Sequence, residues 1–207
     1  MRPILGIADY GVGNLKSVSN MLSRLGIENF ISSRVAEFER ATHLVLPGVG
    51  AFDAGVKNLK ERGLDAFFRD AAARKDRPIL GICLGMHLMM ESSDEGTEAG
   101  LALFRGRCLR FDPEKIGEKV PHMGWADVSP TRPSEIWRGL ETEARFYFAH
   151  SYHVVPDDPS VVLARADYGL GFVAAIQRGC VTGVQFHPEK SHRFGFTLLK
   201  NFSESAA

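Results

Sequence analysis

The chain carries no excess of either charge: lysine plus arginine and aspartate plus glutamate stand at 25 each among 207 residues. Without a net field to concentrate polyanions, binding of nucleic acid or of an anionic membrane is disfavoured. There is no apolar run of the roughly 18 residues that a membrane span needs. The first residues, MRPILGIADYG, lead straight into a glycine turn rather than a cleavable signal. A soluble, cytoplasmic protein is therefore expected. Cysteine is scarce and odd in number: Cys83, Cys108 and Cys180 are widely spaced, with no C-x-x-C pair. That argues against a disulfide framework and a cysteine zinc site, and reduced thiols are expected. Repeats, low-complexity tracts and linker-like boundaries are also missing, so residues 1–207 read as one domain.

What is present is enough apolar residue, 44%, to bury a sizeable core. The first half alternates short apolar runs with helix-period segments. PILGIAD reads as a strand, and in NLKSVSNMLSRLG the residues Leu15, Val18, Met21, Leu22 and Leu25 share a helix face. ENFISS and HLVLPG read as strands, with a short polar helix near VAEFERA between them. Two helices follow, AFDAGVKNLKERG and LDAFFRDAAARKDR, and RPILGIC is a strand entering a turn. Apolar strands with no polar alternation predict a parallel sheet covered on both faces. After residue 100 the strand-like runs crowd together (RCLRF, EARFYFAHS, SVVLARA, GFVAAIQR, CVTGVQF), and a last helix is expected near 192–203. The fold class is α/β: one domain with a central, mostly parallel mixed sheet flanked by helices, and a more antiparallel C-terminal extension.

Reactive groups of such sheets collect where loops leave the carboxyl ends of the strands. Cys83 falls there, in Gly81-Ile82-Cys83-Leu84-Gly85, a thiol version of the nucleophile elbow. Flanking glycines would permit a strained strand-to-helix turn, leave the Leu84 N–H free for an oxyanion, and set the thiol at a helix N-terminus that favours thiolate. A lone cysteine at a strand end is otherwise a small buried hydrophobe. The second segment, VTGVQFHPEKS, ends a strand in His187, Pro188 and Glu189. There the carboxylate can orient the imidazole while the imidazole takes the thiol proton, as in a Cys-His-acid triad. In PGVG, Val49 N–H is the candidate second oxyanion donor; the same stretch also reads as an ordinary strand-ending turn.

Together GICLGM, QFHPEKS and LPGVGAF resemble the class I, or triad, glutamine amidotransferases, whose fold is flavodoxin-like. More narrowly, PGVGAF, KVPHMGW and FYFAHSYHV resemble the glutaminase subunit of imidazole glycerol phosphate synthase, from DYGVGN at 9–14 to LLKNF at 198–202. The resemblance implies hydrolysis of L-glutamine to glutamate and ammonia by Cys83, His187 and Glu189. It also implies ammonia passed to a (β/α)8-barrel cyclase or synthase partner in a heterodimer, for histidine biosynthesis. It implies glutamine binding by Gly48, Gly50, His87 and the backbone at Ser151 and Tyr152, and a partner-facing surface with Asn14, Trp125 and Lys190. From the residues alone, Trp125 reads as core and Lys190 as a solvated charge.

Two departures stand out. His87 occupies a position where relatives usually carry glutamine, whose amide both donates and accepts; an imidazole does so from a shorter, differently directed ring. SHRFG at 191–195 is similar to paralogues that feed ammonia to an ATP-dependent sugar amidotransferase of surface-polysaccharide pathways. Competing with the glutaminase are a catalytically weak scaffold subunit, its glutamine binding spoiled by His87, and a cysteine hydrolase of the same fold. Gly11-Val12-Gly13 fails as a dinucleotide loop because Lys16 stands at the third glycine position. His150 and His153, read as one strand, would face opposite sides, and neither a metal nor a cofactor is expected.

Overall fold

The computed structural model describes residues 2–206. Strand β1 (Ile4–Ala8), helix α1 (Leu15–Arg24) and strand β2 (Glu28–Ser32) form the first βα unit. Val18, Met21 and Leu22 supply the buried face of α1, at the spacing its periodicity predicts. The polar segment Val35–Arg40 is a 3-10 turn rather than an α-helix, pinned by the fully buried Phe38. Then come β3 (His43–Gly48), α2 (Phe52–Glu61), α3 (Leu64–Arg74), β4 (Ile79–Cys83) and the short α4 (Leu84–Leu88).

The continuous apolar runs become strands with no solvent side. In β3, Val45 joins one core with Val18, Leu22 and Leu198, whereas Leu44 and Leu46 join the other with Leu59, Leu64 and Phe68. Alternate residues thus serve opposite faces, each fully buried aliphatic side chain contributing on the order of 1.5–3 kcal/mol.

The second half holds β5 (Ser92–Ser93), β6 (Gly106–Arg110), α5 (Pro113–Ile116), β7 (His122–Pro130), β8 (Arg145–His150) and β9 (Tyr152–Pro156). It closes with β10 (Val162–Asp167), β11 (Gly171–Arg178), β12 (Val181–Val184) and α6 (His192–Glu204). Strand order is β2-β1-β3-β4-β12-β11-β10-β7-β8. The ladders from β2 to β12 are parallel and those from β12 to β8 antiparallel. The molecule is one mixed sheet flanked by helices. Among the described residues no helix is long and apolar enough to cross a membrane.

The C-terminal strand β12 lies between β4 and β11, with Val184 opposite Ile82. The chain segments that follow β4 and β12 therefore leave the sheet side by side, although about a hundred residues separate them.

Candidate active site

Cys83 ends β4 with φ of 52° and ψ of −107°, a conformation that side chains rarely adopt. The strain sits on the cysteine itself, and its glycine neighbours permit the turn by leaving room for it. Those glycines answer to close packing. A Cβ on Gly85 would overlap the Leu46 carbonyl oxygen of β3, and one on Gly81 would meet Met89 Cε at 2.7 Å. Glycine lets α4 begin directly against β3, and Leu84 N–H falls in the first turn, where an α-helix has no internal acceptor.

Beyond β12 the chain runs through Gln185 and Phe186 to His187, whose N–H donates to the Tyr147 carbonyl at 2.9 Å. Pro188 opens a 3-10 turn over Pro188–Lys190, and Ser191 Oγ donates to the His187 carbonyl at 2.6 Å. The turn folds Glu189 back, so that His187 Nδ1 lies 2.9 Å from Glu189 Oε1, with the two side chains 1% and 3% exposed. A carboxylate at that nitrogen keeps the proton on Nδ1 and leaves Nε2 as the working nitrogen. Nε2 is buried and has no hydrogen-bond partner among the described residues. Burial opposes the imidazolium, but the adjacent Cys83 sulfur and the Glu189 carboxylate outweigh it and raise the His187 pKa to about 10.

Cys83 opens on a cavity of about 220 Å³, walled in part by Val49, Gly50, Leu84, His87, Ser151 and Tyr152. Gly48 is not in this wall; it pairs with Cys83 in the β3–β4 register and packs against Tyr10, whose hydroxyl donates to the Pro47 carbonyl at 2.6 Å. Burial, and next the charge of Cys83, push the Tyr10 pKa up, so the hydroxyl stays a donor. Asn14 is exposed just before α1, its Oδ1 accepting from Ser17 Oγ at 2.8 Å.

Trp125 is 38% exposed, which corrects its reading as core. It stacks on His192 at 5.5 Å and meets Tyr147 edge-on, while Lys190 Nζ lies 5.6 Å above the Tyr147 ring.

Two polar neighbours escaped sequence reading. Glu95 is a carboxylate in the cavity wall; it accepts the Phe52 N–H at 3.0 Å, and burial raises its pKa. SSDEG resembles a solvated loop, so nothing local marks it. Gln185 is fully buried between β12 and His187, and its Nε2 lies 3.8 Å from Cys83 Sγ. His87, 3% exposed, uses Nε2 on Gln185 Oε1 at 2.8 Å, and burial pulls its pKa down to about 4, so the ring is neutral. The stretch HSYH is not one strand: β8 ends at His150 and β9 begins at Tyr152, and both imidazoles pack on Phe111, at 5.4 and 4.7 Å. Opposite facing, which assumed an unbroken strand, is thereby overturned.

A family model described as glutamine amidotransferase class-I matches residues 7–205. The imidazole glycerol phosphate synthase subunit HisH of Geobacillus kaustophilus is 49% identical over 203 residues, covering 96% of this chain and 95% of the relative. Subunit HisH 2 of the same synthase in Pseudomonas aeruginosa is 46% identical over 198 residues, covering 96% and 98%. Among solved structures, PurLQS from Thermotoga maritima superposes with a TM-score of 0.79 over 99% of both chains at 19% identity, a likeness of fold.

Proposed function

Because the chain belongs to the class I glutamine amidotransferases, we propose that it is the glutaminase subunit of an imidazole glycerol phosphate synthase, hydrolysing L-glutamine to glutamate and ammonia. The observation that carries the reading is the buried His187–Glu189 pair beside a cysteine of positive φ at the mouth of a cavity.

In the proposed reaction the Cys83 thiolate attacks the side-chain amide carbon of glutamine, and the carbonyl electrons move onto oxygen. N–H groups of Val49 and Leu84 receive that oxyanion. The tetrahedral adduct collapses as His187 Nε2–H protonates the nitrogen, the C–N bond breaks, and ammonia leaves a γ-glutamyl thioester. His187, now neutral, takes a proton from water. The hydroxide adds to the thioester, the C–S bond breaks, and glutamate departs. Glu189 holds the ring by Nδ1 throughout and balances its charge.

A glutamine head group carries a cation and an anion. Glu95 offers a carboxylate to the α-ammonium, while Gly50, His87 and the backbone at Ser151 and Tyr152 complete the wall. The exposed apolar residues Val49, Met123 and Trp125, at 49, 64 and 38% exposure, and beyond them Lys190 and Asn14, make the surface proposed to receive a (β/α)8-barrel partner, in the cytoplasm and for histidine biosynthesis. The three free cysteines suit a reducing compartment.

The test is twofold. A diazoketone analogue of glutamine should label Cys83, read by peptide mass spectrometry. Glutamate release should rise when a (β/α)8 cyclase and its phosphorylated substrate are added. Absence of labelling with the partner bound would leave a scaffold subunit; ammonia delivered to an ATP-dependent sugar amidotransferase instead would reassign the acceptor.

A further inference from the structure

Gln185 presents both ends of one carboxamide to the site. Its Oε1 is 2.8 Å from His87 Nε2 and its Nε2 is 3.8 Å from Cys83 Sγ, and all three residues are buried. The ends of an amide are opposite in hydrogen bonding: oxygen only accepts and nitrogen only donates. A thiolate is served by the donor end and repelled by the acceptor end. Which end faces sulfur is therefore decided by what His87 offers the other.

His87 stands on α4 four residues after Cys83, and Gln185 two residues before His187, so the relay ties the strand-to-helix turn to the segment carrying the imidazole. With the proton on Nε2, His87 donates to Oε1 and turns the N–H pair toward sulfur; with the proton on Nδ1 it would accept from the amide and turn oxygen toward sulfur. The neighbours facing His87 are His150 and His153, both with pKa lowered chiefly by burial, and the Tyr152 backbone carbonyl, which already accepts from His150 Nδ1 at 2.8 Å. Glu95 shares the cavity wall with His87 and Cys83, and the sulfur also faces His187 and Tyr10. A neutral His87 exerts no direct charge on the thiol.

We infer that His87 is a positioning residue for the nucleophile, acting through Gln185: by donating Nε2–H to Gln185 Oε1 it holds the carboxamide N–H on Cys83 Sγ and favours the thiolate. This rests on Cys83 being the nucleophile of the proposed hydrolysis, and it gives the histidine at this position a task other than contact with glutamine.

The experiment measures alkylation of Cys83 by iodoacetamide in the full chain as a function of pH, followed at peptide level to separate Cys108 and Cys180. Variants are His87→Phe, Gln185→Met, the double variant and His87→Gln. Each of the first two should slow alkylation at pH 7 by about three- to tenfold and move the profile to higher pH. The double variant should be no slower than the slower single one, because the two residues form one relay. His87→Gln, whose own N–H can reach the same oxygen, should recover most of the rate. Unchanged rates, multiplicative losses in the double variant, or a His87→Gln as slow as His87→Phe would each overturn the inference. Should His87→Phe fail to fold by circular dichroism, Gln185→Met must still be slow and His87→Gln still fast, or the inference falls. Alkylation needs no glutamine turnover. A predicted alkylation pattern in a chain that never hydrolyses glutamine would sink the proposed function alone.

Discussion

His187 and Glu189 are joined by a 2.9 Å contact sealed from solvent, and Glu189 Oε2 and His187 Nε2 are both left without a hydrogen-bond partner among the described residues. The pair is thus held at one end and open at the other, as a group that moves a proton must be. Glu189→Gln keeps the shape and removes the charge. Glutamine hydrolysis should fall about 10- to 1000-fold in kcat, with KM within about threefold. A loss confined to KM would count against the orienting role.

The Cys83 sulfur and the Glu189 carboxylate, which together hold the proton on His187 against burial, predict a pH dependence of stability. The folded pKa of His187, about 10, lies above its unfolded value of 6.5. Its contribution is therefore complete below about pH 6.5 and is lost as pH rises through about 10. Urea unfolding at pH 7 and pH 10 should show wild type losing more stability than Glu189→Gln; equal losses would contradict the linkage.

Cys83→Ala should abolish turnover, by about a thousandfold or more. Its backbone adds a prediction about stability. At φ of 52° and ψ of −107° glycine is at ease and alanine is not. Cys83→Gly should therefore be more stable than Cys83→Ala by about 1 kcal/mol, the reverse of the order at ordinary positions, as thermal melts of the two variants would reveal.

Gly85 has no room for a side chain, because a Cβ would strike the Leu46 carbonyl, which is backbone and cannot swing aside. Gly85→Ala is expected to cost about 3 kcal/mol or more, or to prevent accumulation of soluble protein. A near-normal melting temperature would mean that α4 can slide away from β3.

Acid should weaken the fold through buried histidines. Burial lowers His87 and His122 to about 4 and His150 well below its ordinary value; His122 Nδ1 is 3.2 Å from His150 Nε2 and its ring stacks on Tyr168 at 3.9 Å. The unfolded chain takes up these protons near pH 6.5 while the folded chain refuses them. Their contribution is present above about pH 6.5 and is lost as pH falls toward 4, at about 1.4 kcal/mol per pH unit for each proton. Replacing His122 by phenylalanine should make the decline in urea midpoint between pH 6.5 and 4.5 shallower, and an identical slope would refute this origin.

The parallel half of the sheet was legible because HLVLPG and PILGIC have no polar alternation, and a strand buried on both faces leaves no other pattern. The nine-residue β7 carries no strand pattern in its sequence. HMGWADVSP holds glycine, aspartate and serine, and its strand state comes from pairing with β8 and β10 rather than from local preference. HSYH misled for the complementary reason: the break at Ser151 depends on β8 and β9 having different partners, β7 for one and β6 and β11 for the other.

Sequence alone determined the short-range chemistry. Gly-x-Cys-x-Gly sets the Cys83 thiol next to the Leu84 N–H, and His-Pro-Glu sets an imidazole and a carboxylate two residues apart, where the backbone admits few geometries. Tertiary structure alone decided what lies across the sheet. Seating β12 beside β4 brings His187 to Cys83, a 98-residue separation closes to 2.8 Å between His87 and Gln185, and a loop of ordinary appearance contributes Glu95 to the cavity. Such contacts follow from strand order and burial, which a linear pattern constrains only through the whole fold.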